Sequence, residues 1–236
     1  AALQQGRLSN SGFVMRTSTL ATAPPGTTTF ATWYQLNDGQ LQFLPDWPAL
    51  EGIQASVEVR DGAVEVRTEA AAMVGIALNP AMATVLPQLE GGALLRVSGT
   101  ANGSTANGLE FLGDSPVHEA IGPIMDDWQA SGSVSADITL QIPLGASTAD
   151  QMISVNVLST DSELYLPSYE LTISDINGRI TYDTANGLNA NALDASMFEF
   201  PVVADIATLN NAAGISTRIN TRGRTTLAAL QAWPRQ

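Results

Sequence analysis

The stretch WYQLNDGQLQFLPDWPALEGIQASVEVRDG, residues 33–62, decides the fold, because NVLSTDSELYLPSYELTISDINGRITYDTANG, residues 156–187, follows the same plan. Pro45 of the first stretch matches Pro167 of the second at an offset of 122, and Val57 matches Ile180 at an offset of 123. Self-similarity at a long, fixed period indicates repeated supersecondary units that bury their apolar faces by stacking. With no catalytic constellation in either copy, the pattern favours a surface or a conduit over an enzyme.

Apolar and polar residues alternate along most of the chain, as they do in the segment that runs from Ile53 to Val59. After Asp61-Gly62 the alternation resumes with Val64 and Val66. This pattern is typical of two half-buried strands joined in a hairpin. Asparagine, aspartate and glycine predict further turns at residues 37–39, 102–103, 177–178 and 186–187.

The predicted fold is mainly β, with two tandem repeats of antiparallel strands that form a curved, elongated, groove-like sheet with short linker helices. The first repeat is placed at residues 1–113, a linker helix at 114–130, and the second repeat, which ends in a short helix, at 131–236. Each repeat is expected to hold about six strands. A pair of closed β-sandwiches stays open as an alternative, although one-sided strands and an aromatic content of only 6% favour the open trough.

The composition excludes several classes of protein. There is no cysteine, so the chain has no disulfide framework, no thiolate nucleophile and no cysteine metal site. The formal net charge of −13 disfavours binding to nucleic acid or to an anionic membrane surface. No apolar run reaches the roughly 18 residues that cross a bilayer. The chain begins at AALQQGRL without methionine, so we expect it to be part of a longer protein.

Catalytic and metal sites are not indicated. His118 is the single histidine, and no serine or cysteine nucleophile motif accompanies it. Asp126 and Asp127 are adjacent on a predicted helix and would point apart. The segment Asp175–Gly178 lacks the later glutamate of a calcium loop and is more simply interpreted as a turn. We therefore predict no enzyme activity, no cofactor and no metal.

The candidate site is the apolar face of the predicted strands. Such a face must be covered by packing or by a ligand. Acyl chains suit an open trough, because their burial is non-directional and is worth about 0.8 kcal/mol per methylene. Simple core packing is the alternative for each residue. The predicted groove lining consists of Ile53, Val57, Val59, Val64, Val66, Ile138, Leu140, Ile142, Val155, Val157, Leu164, Leu166, Ile180 and Tyr182.

Three segments carry a resemblance to a known family. The order of strand, DGQLQFLPDWPAL, strand, Asp-Gly turn and strand at residues 38–66 resembles the periplasmic region of the large AsmA-like proteins of the YhdP type. The segments WQASGSVSADITLQIPLG and LYLPSYELTISDINGRITYDTANGLNA, the latter followed by FEFPVVADI, are similar to that family as well. The resemblance covers nearly the whole chain, and its specificity lies in the order and spacing of the segments.

The resemblance implies a function that composition alone does not. It implies an interior segment of a bridge-like lipid-transfer protein, which shields phospholipid acyl chains in a β-groove between the inner and outer membranes of a Gram-negative envelope. The parent protein would be periplasmic and anchored in the inner membrane by an N-terminal helix. Its partners would be phospholipid acyl chains and neighbouring repeats, with membrane contact only through other parts of the parent. The alternative is a structural or carbohydrate-binding envelope module, for which Trp33 and Trp47 would form an exposed aromatic pair.

Overall fold

A computed structural model describes residues 2–20, 22, 24, 27–42, 47–89, 91–115, 126–211 and 214–233. In these residues the chain forms one 13-stranded sheet, a 3₁₀ turn at Pro167–Tyr169 and two short α-helices. The strands are β1 Ala2–Arg16, β2 Thr29–Gln42, β3 Leu50–Arg60, β4 Ala63–Met73, β5 Ile76–Leu78, β6 Ala81–Pro87, β7 Ala93–Ser104, β8 Gln129–Leu144, β9 Met152–Leu166, β10 Leu171–Asp183, β11 Gly187–Met197, β12 Phe200–Asn211 and β13 Gly214–Gly223. The helices are α1 Thr105–Gly113 and α2 Leu227–Ala232.

The sheet is an antiparallel meander. Neighbours along the chain are neighbours in the sheet, except that β5 and β6 share one place between β4 and β7. The 13 strands therefore fill 12 places, which at about 4.8 Å per strand gives a sheet roughly 55 Å long. The strands β1–β7 and β8–β13 each fill six places, so each half of the sheet begins and ends at the same long edge, here named the helix edge.

One face of the sheet is predominantly apolar along its whole length. Cross-strand partners lie on the same face, and one row of partners runs through Val57, Val66, Ala83, Val97 and Leu140. Another row runs through Ala101, Ala136, Val157, Ile180 and Ala190. The alternation of the sequence is thus kept in phase from strand to strand, and the apolar sides of both halves join in one surface.

The sheet is open and has no second layer in the described residues. The accessible surface is 14878 Å², against roughly 10,000 Å² for a compact protein of 24.7 kDa. Only eleven hydrophobic residues are buried among those described, and four of them form a cluster at Leu36, Ile53, Ala55 and Ala71. This confirms the prediction of an elongated, groove-like, mainly β fold, and the sandwich alternative is not observed.

Bulges interrupt neighbouring strands. Asp38 in β2 and Asp161 in β9 have φ values of 51° and 47°, and the pairing shifts beside each of them. The Asp38 Oδ1 atom accepts a hydrogen bond from Gln54 Nε2 at 3.2 Å, and the Asp161 Oδ1 atom accepts one from Asn177 Nδ2 at 3.2 Å. Both residues of the second pair lie 123 positions after those of the first. Because a bulge bends its strand and increases the local twist, these devices help to curve the sheet.

Three predicted turns are wrong, and two of them fall at bulges. Residues 37–39, 102–103 and 177–178 lie inside β2, β7 and β10. Asp38 takes up a left-handed conformation within a bulge, and Gly178 (φ 141°) lies beside another. Bulges and turns favour the same residue types. The Asp61-Gly62 and Asn186-Gly187 predictions are confirmed as hairpin connections, because β4 begins at Ala63 and β11 at Gly187.

The two helices occupy equivalent positions at the helix edge. Ser104 caps α1 through the Asn107 amide at 3.0 Å, and Thr226 caps α2 through the Ala229 amide at 3.1 Å. The rings of Trp47 and Phe111 are 5.8 Å apart. Tyr169 and Trp233 lie 122 positions after Trp47 and Phe111 and occupy the equivalent places in the second half. The Trp233 Nε1–H donates a hydrogen bond to the Tyr169 carbonyl at 2.7 Å. Each helix is thus tied to the loop between the second and third strands of its own half.

The predicted segment boundaries stay a prediction. Helix α1 ends at Gly113, and most of the predicted linker helix, residues 116–125, lies outside the described residues. Strand β8 begins at Gln129, two residues before the predicted start of the second repeat. The two halves share one continuous sheet through twelve cross-strand pairs between β7 and β8.

Candidate functional site

The candidate site is the apolar face described above, here named the apolar groove. The structure places all 14 predicted lining residues on this face, because the bulges keep Leu164 and Leu166 in phase with Val155 and Val157. That these residues contact a lipid stays a prediction.

Most of the predicted lining is half-buried. Ile53, Val57 and Leu166 are buried, with exposed fractions of 6%, 7% and 9%. Tyr182 is 43% exposed at the end of β10, and the other ten residues are intermediate. A closed core would bury all of them, so the exposure pattern is that of an uncovered groove.

Sequence reasoning missed part of the lining. The cross-strand pairs add Val97, Ala101, Ala190 and Ile206 to the same face. In β11 the bulge at Ala192 moves Leu193 into phase with Ala190 and so breaks the period of two. Cross-strand register would have identified these residues, but alternation within one strand does not reveal it.

The groove is free of charged side chains in the described strands, whose charges lie on the opposite, polar face. Glu58 and Glu65 are cross-strand neighbours on that face, and each forms an ion pair with the arginine two residues further along its own strand. Arg222 pairs with Asp205 at 2.6 Å. Exposed pairs of this kind contribute little to stability, but they keep the outer surface wetted. In the described strands, the groove floor therefore offers no charged side chain for an ionic contact with a ligand.

One polar cluster interrupts the groove near the helix edge. The Ser159 hydroxyl donates to the Ser162 Oγ atom at 2.8 Å and lies 3.1 Å from the Ile176 carbonyl. The Ser162 Oγ atom lies 2.7 Å from Thr105 Oγ1, in the first turn of α1. Ser162 is 1% exposed. The hydroxyls satisfy one another, so the cluster fastens α1 of the first half to β9 of the second.

The two tryptophans of the carbohydrate alternative do not form an exposed pair. Trp33 lies on the polar face and is 45% exposed, with its ring against Gly12 of β1. Trp47 is half-buried and packs against Phe111 of α1. The two rings therefore do not share a flat surface.

The described residues that were considered as catalytic or metal-binding candidates do not form such a site. Asp175 belongs to a bulge in β10, and His118 lies outside the described residues. No group of three histidine, aspartate or glutamate side chains within the described ranges could hold a metal ion. The Asp183 carboxylate accepts hydrogen bonds from the Asn186 side chain and backbone and from the Ala185 amide, and these bonds lower the pKa of Asp183. The same hydrogen bonds close the hairpin between β10 and β11.

A family model described as YhdP protein matches residues 1–236, the whole chain. The chain belongs to the YhdP family. Among curated proteins, it is similar to the "Intermembrane phospholipid transporter YhdP" of Escherichia coli strain K12, with 22% identity over 194 residues. The match covers 82% of this chain but only 15% of that relative. No solved structure matches this YhdP-family chain.

The described part of the chain contains no helix long and apolar enough to cross a membrane.

Proposed function

We propose that this chain is a segment of a periplasmic conduit that shields phospholipid acyl chains in the apolar groove as the lipid moves between the inner and outer membranes. The observation that carries the proposal is a face that stays apolar and half-exposed across the sheet. Membership of the YhdP family and the name of the E. coli relative, an intermembrane phospholipid transporter, support it.

The physical basis is transfer of acyl chains from water to an apolar floor. Each buried methylene contributes about 0.8 kcal/mol, and no directional contact fixes a chain at one position. The small differences in free energy between neighbouring positions allow sliding. An open groove also leaves the polar headgroup in water, which avoids the cost of burying it.

The position of the segment in a longer assembly is part of the proposal. The chain spans 15% of the length of its E. coli relative, so membrane anchoring and contact with either membrane would belong to other parts of a parent protein. Neighbouring repeats of the same kind would continue the groove at both ends. The proposed role needs no catalytic step and no cofactor.

The test is a photocrosslinking comparison of adjacent residues. Leu140 lies in the groove and is half-buried, whereas Thr139 lies on the polar face and is exposed. A benzophenone amino acid at Leu140 should crosslink phospholipid in cells, and the same group at Thr139 should not. Native mass spectrometry of the unmodified chain should show co-purified phospholipid. Equal crosslinking at the two positions, or no lipid at either, would refute the groove as the lipid path.

A further inference from the structure

Exposure changes across the width of the apolar groove. Groove-face residues beside the bulges are buried, with exposed fractions between 1% and 7%, because a bulge bends its strand and crowds the side chains on the inner side of the bend. These residues are Leu36, Ile53, Ala55, Ser159, Ser162, Ala190 and Leu193. At the long edge opposite the helix edge, Phe30, Leu144 and Tyr182 of the same face are 42%, 36% and 43% exposed.

The gradient is present within a single strand. On the groove face of β2, Leu36 is buried, Tyr34 and Thr32 are half-buried, and Phe30 is exposed. Strand β2 has β1 on one side and β3 on the other. The exposure of Phe30 is therefore set by its distance from the bulges and not by an unpaired strand at an end of the sheet.

The two long edges of the sheet differ in what occupies them. At the helix edge, Thr105 of α1 contacts the groove-face residue Ser162, Phe111 packs on Trp47, and Trp233 fastens α2. In the described residues the opposite edge carries connections and no helix, and we name it the loop edge. Its connections are rich in serine, threonine, asparagine and aspartate; they span residues 17–28, 61–62, 88–92, 145–151 and 184–186.

The distance from the loop edge to the bulges suits one acyl chain. The hydrocarbon core of a bilayer is about 30 Å thick and holds two leaflets, so one acyl chain spans about 15 Å. A strand rises about 3.3 Å per residue. A chain that lies along β8 and begins at Leu144 therefore covers about five residues, and it ends between Leu140 and Ile138. It stops short of the bulge at Gly132.

Resting on the proposed function, we propose that phospholipid acyl chains lie across the groove, parallel to the strands, with the headgroup at the loop edge and the chain ends towards the bulges. The half-buried positions then contact the methylenes, which gain most from leaving water. The exposed positions Phe30, Leu144 and Tyr182 contact the glycerol end. Tyrosine suits this boundary, because its ring is apolar and its hydroxyl is polar.

The alternative is a chain that lies along the groove axis. Its headgroup would then rest over the apolar floor between half-buried side chains, where polar groups lose water without gaining a partner. The helix edge is no better for the headgroup, because the residues beside the bulges are already buried by their neighbours and the helices. The proposed orientation keeps the headgroup among the polar connections along the whole length of the sheet.

Depth-dependent quenching tests the orientation. The chain has no cysteine, so Leu144→Cys and Ile138→Cys each place a bimane fluorophore at a single groove position. The lipids are phosphatidylcholines with a nitroxide either near the glycerol or near the end of one acyl chain. The glycerol-side nitroxide should quench the Leu144 probe at least twofold more than the Ile138 probe, and the chain-end nitroxide should do the reverse. Thr139→Cys on the polar face should be quenched little by either lipid.

The outcomes separate the orientation from the function. A reversed order would place the headgroup at the helix edge, and equal quenching by the two lipids at each groove position would mean that the chains lie along the axis. Either result would overturn the orientation while leaving lipid in the groove. Quenching of no groove probe by either lipid would refute the proposed function and the orientation with it.

Photolabelling of the unmodified chain supplies a second measurement that needs no variant. Phospholipids with a diazirine on the headgroup should label the connections at residues 145–151 and 184–186. Phospholipids with a diazirine at the chain end should label the interior of β8 and β9. Both patterns are read from the labelled peptides by mass spectrometry. Headgroup labelling of α1 or of residues 47–49, in place of the loop edge, would overturn the proposal.

Discussion

A charge placed in the middle of the groove should separate lipid binding from stability. Ile138 lies in β8, between Gly99 of β7 and Val155 of β9, and is half-buried. No charged side chain shares its face in the described strands, so an aspartate there would have no cation to pair with. We expect Ile138→Asp to fold and to lose its affinity for acyl chains.

The stability loss can be worked out from exposure. Full burial of an isoleucine is worth about 1.5–3 kcal/mol, so a half-buried side chain loses about 1 kcal/mol. The low strand propensity of aspartate adds up to about 1 kcal/mol. The carboxylate stays hydrated in an open groove, and the total is therefore about 2 kcal/mol. In a sealed core an unpaired charge costs several kcal/mol more.

The lipid effect should be larger. A hydrated carboxylate that lifts about four methylenes off the floor removes about 3 kcal/mol, which is on the order of a hundredfold in affinity. The assay pairs thermal melting of the chain with binding of a fluorescent acyl-chain lipid. Thr139→Asp, the neighbouring polar-face residue, should change both by little. An Ile138→Asp chain that melts near the wild-type temperature and binds lipid normally would refute the groove, and one that does not fold would show that this face is sealed.

Three further outcomes follow from the geometry. Trp233→Ala removes the ring contact with Phe198 at 5.5 Å and the hydrogen bond to Tyr169. It should lower the free energy of unfolding in urea by about 2 kcal/mol. No measurable change would mean that Trp233 does not hold α2 against the sheet. Small-angle scattering at low concentration should give a radius of gyration well above the 17–18 Å of a compact chain of this length, and a value within that range would contradict the open sheet. The lowered pKa of Asp183 means that its carboxylate stabilises the folded state above the unfolded pKa of about 3.9 and that this contribution is lost as pH falls through the folded value. Asp183→Asn should therefore lower stability at pH 7 more than at pH 2–3, and an equal loss at both would exclude the carboxylate as the cause.

Alternation along single strands was enough to predict the sheet and its two faces. The apolar series at 53–59 and 134–142 have a period of two that no helix could use, and these residues lie in β3 and β8. Alternation did not predict that the apolar faces of all strands would join in one surface, because cross-strand register is not visible within a single strand. The groove lining was predictable to the same extent, because a residue's face follows from its place in the alternation.

Bulges mark the limit of that reasoning. Within β2, β10 and β11 an extra residue shifts the phase. In β2 and β10 that residue is an aspartate, a type that also forms turns. The polar cluster of Ser159, Ser162 and Thr105 was not predictable either. It joins residues up to 57 positions apart, and nothing within a single strand distinguishes a serine that fastens a helix from one that faces water.

The even number of strand places in each half has a consequence for length. Six places bring the chain back to the helix edge, so a half can be inserted or deleted without reversing the direction in which the next strand must run. Each such change would lengthen or shorten the sheet by six spacings, about 29 Å. An odd number of places would leave the next strand at the wrong edge, and a connection would have to cross the open mouth of the groove. The length of the sheet can therefore change only in increments of one half, about 29 Å each. The distance that such a sheet spans is set by the number of halves.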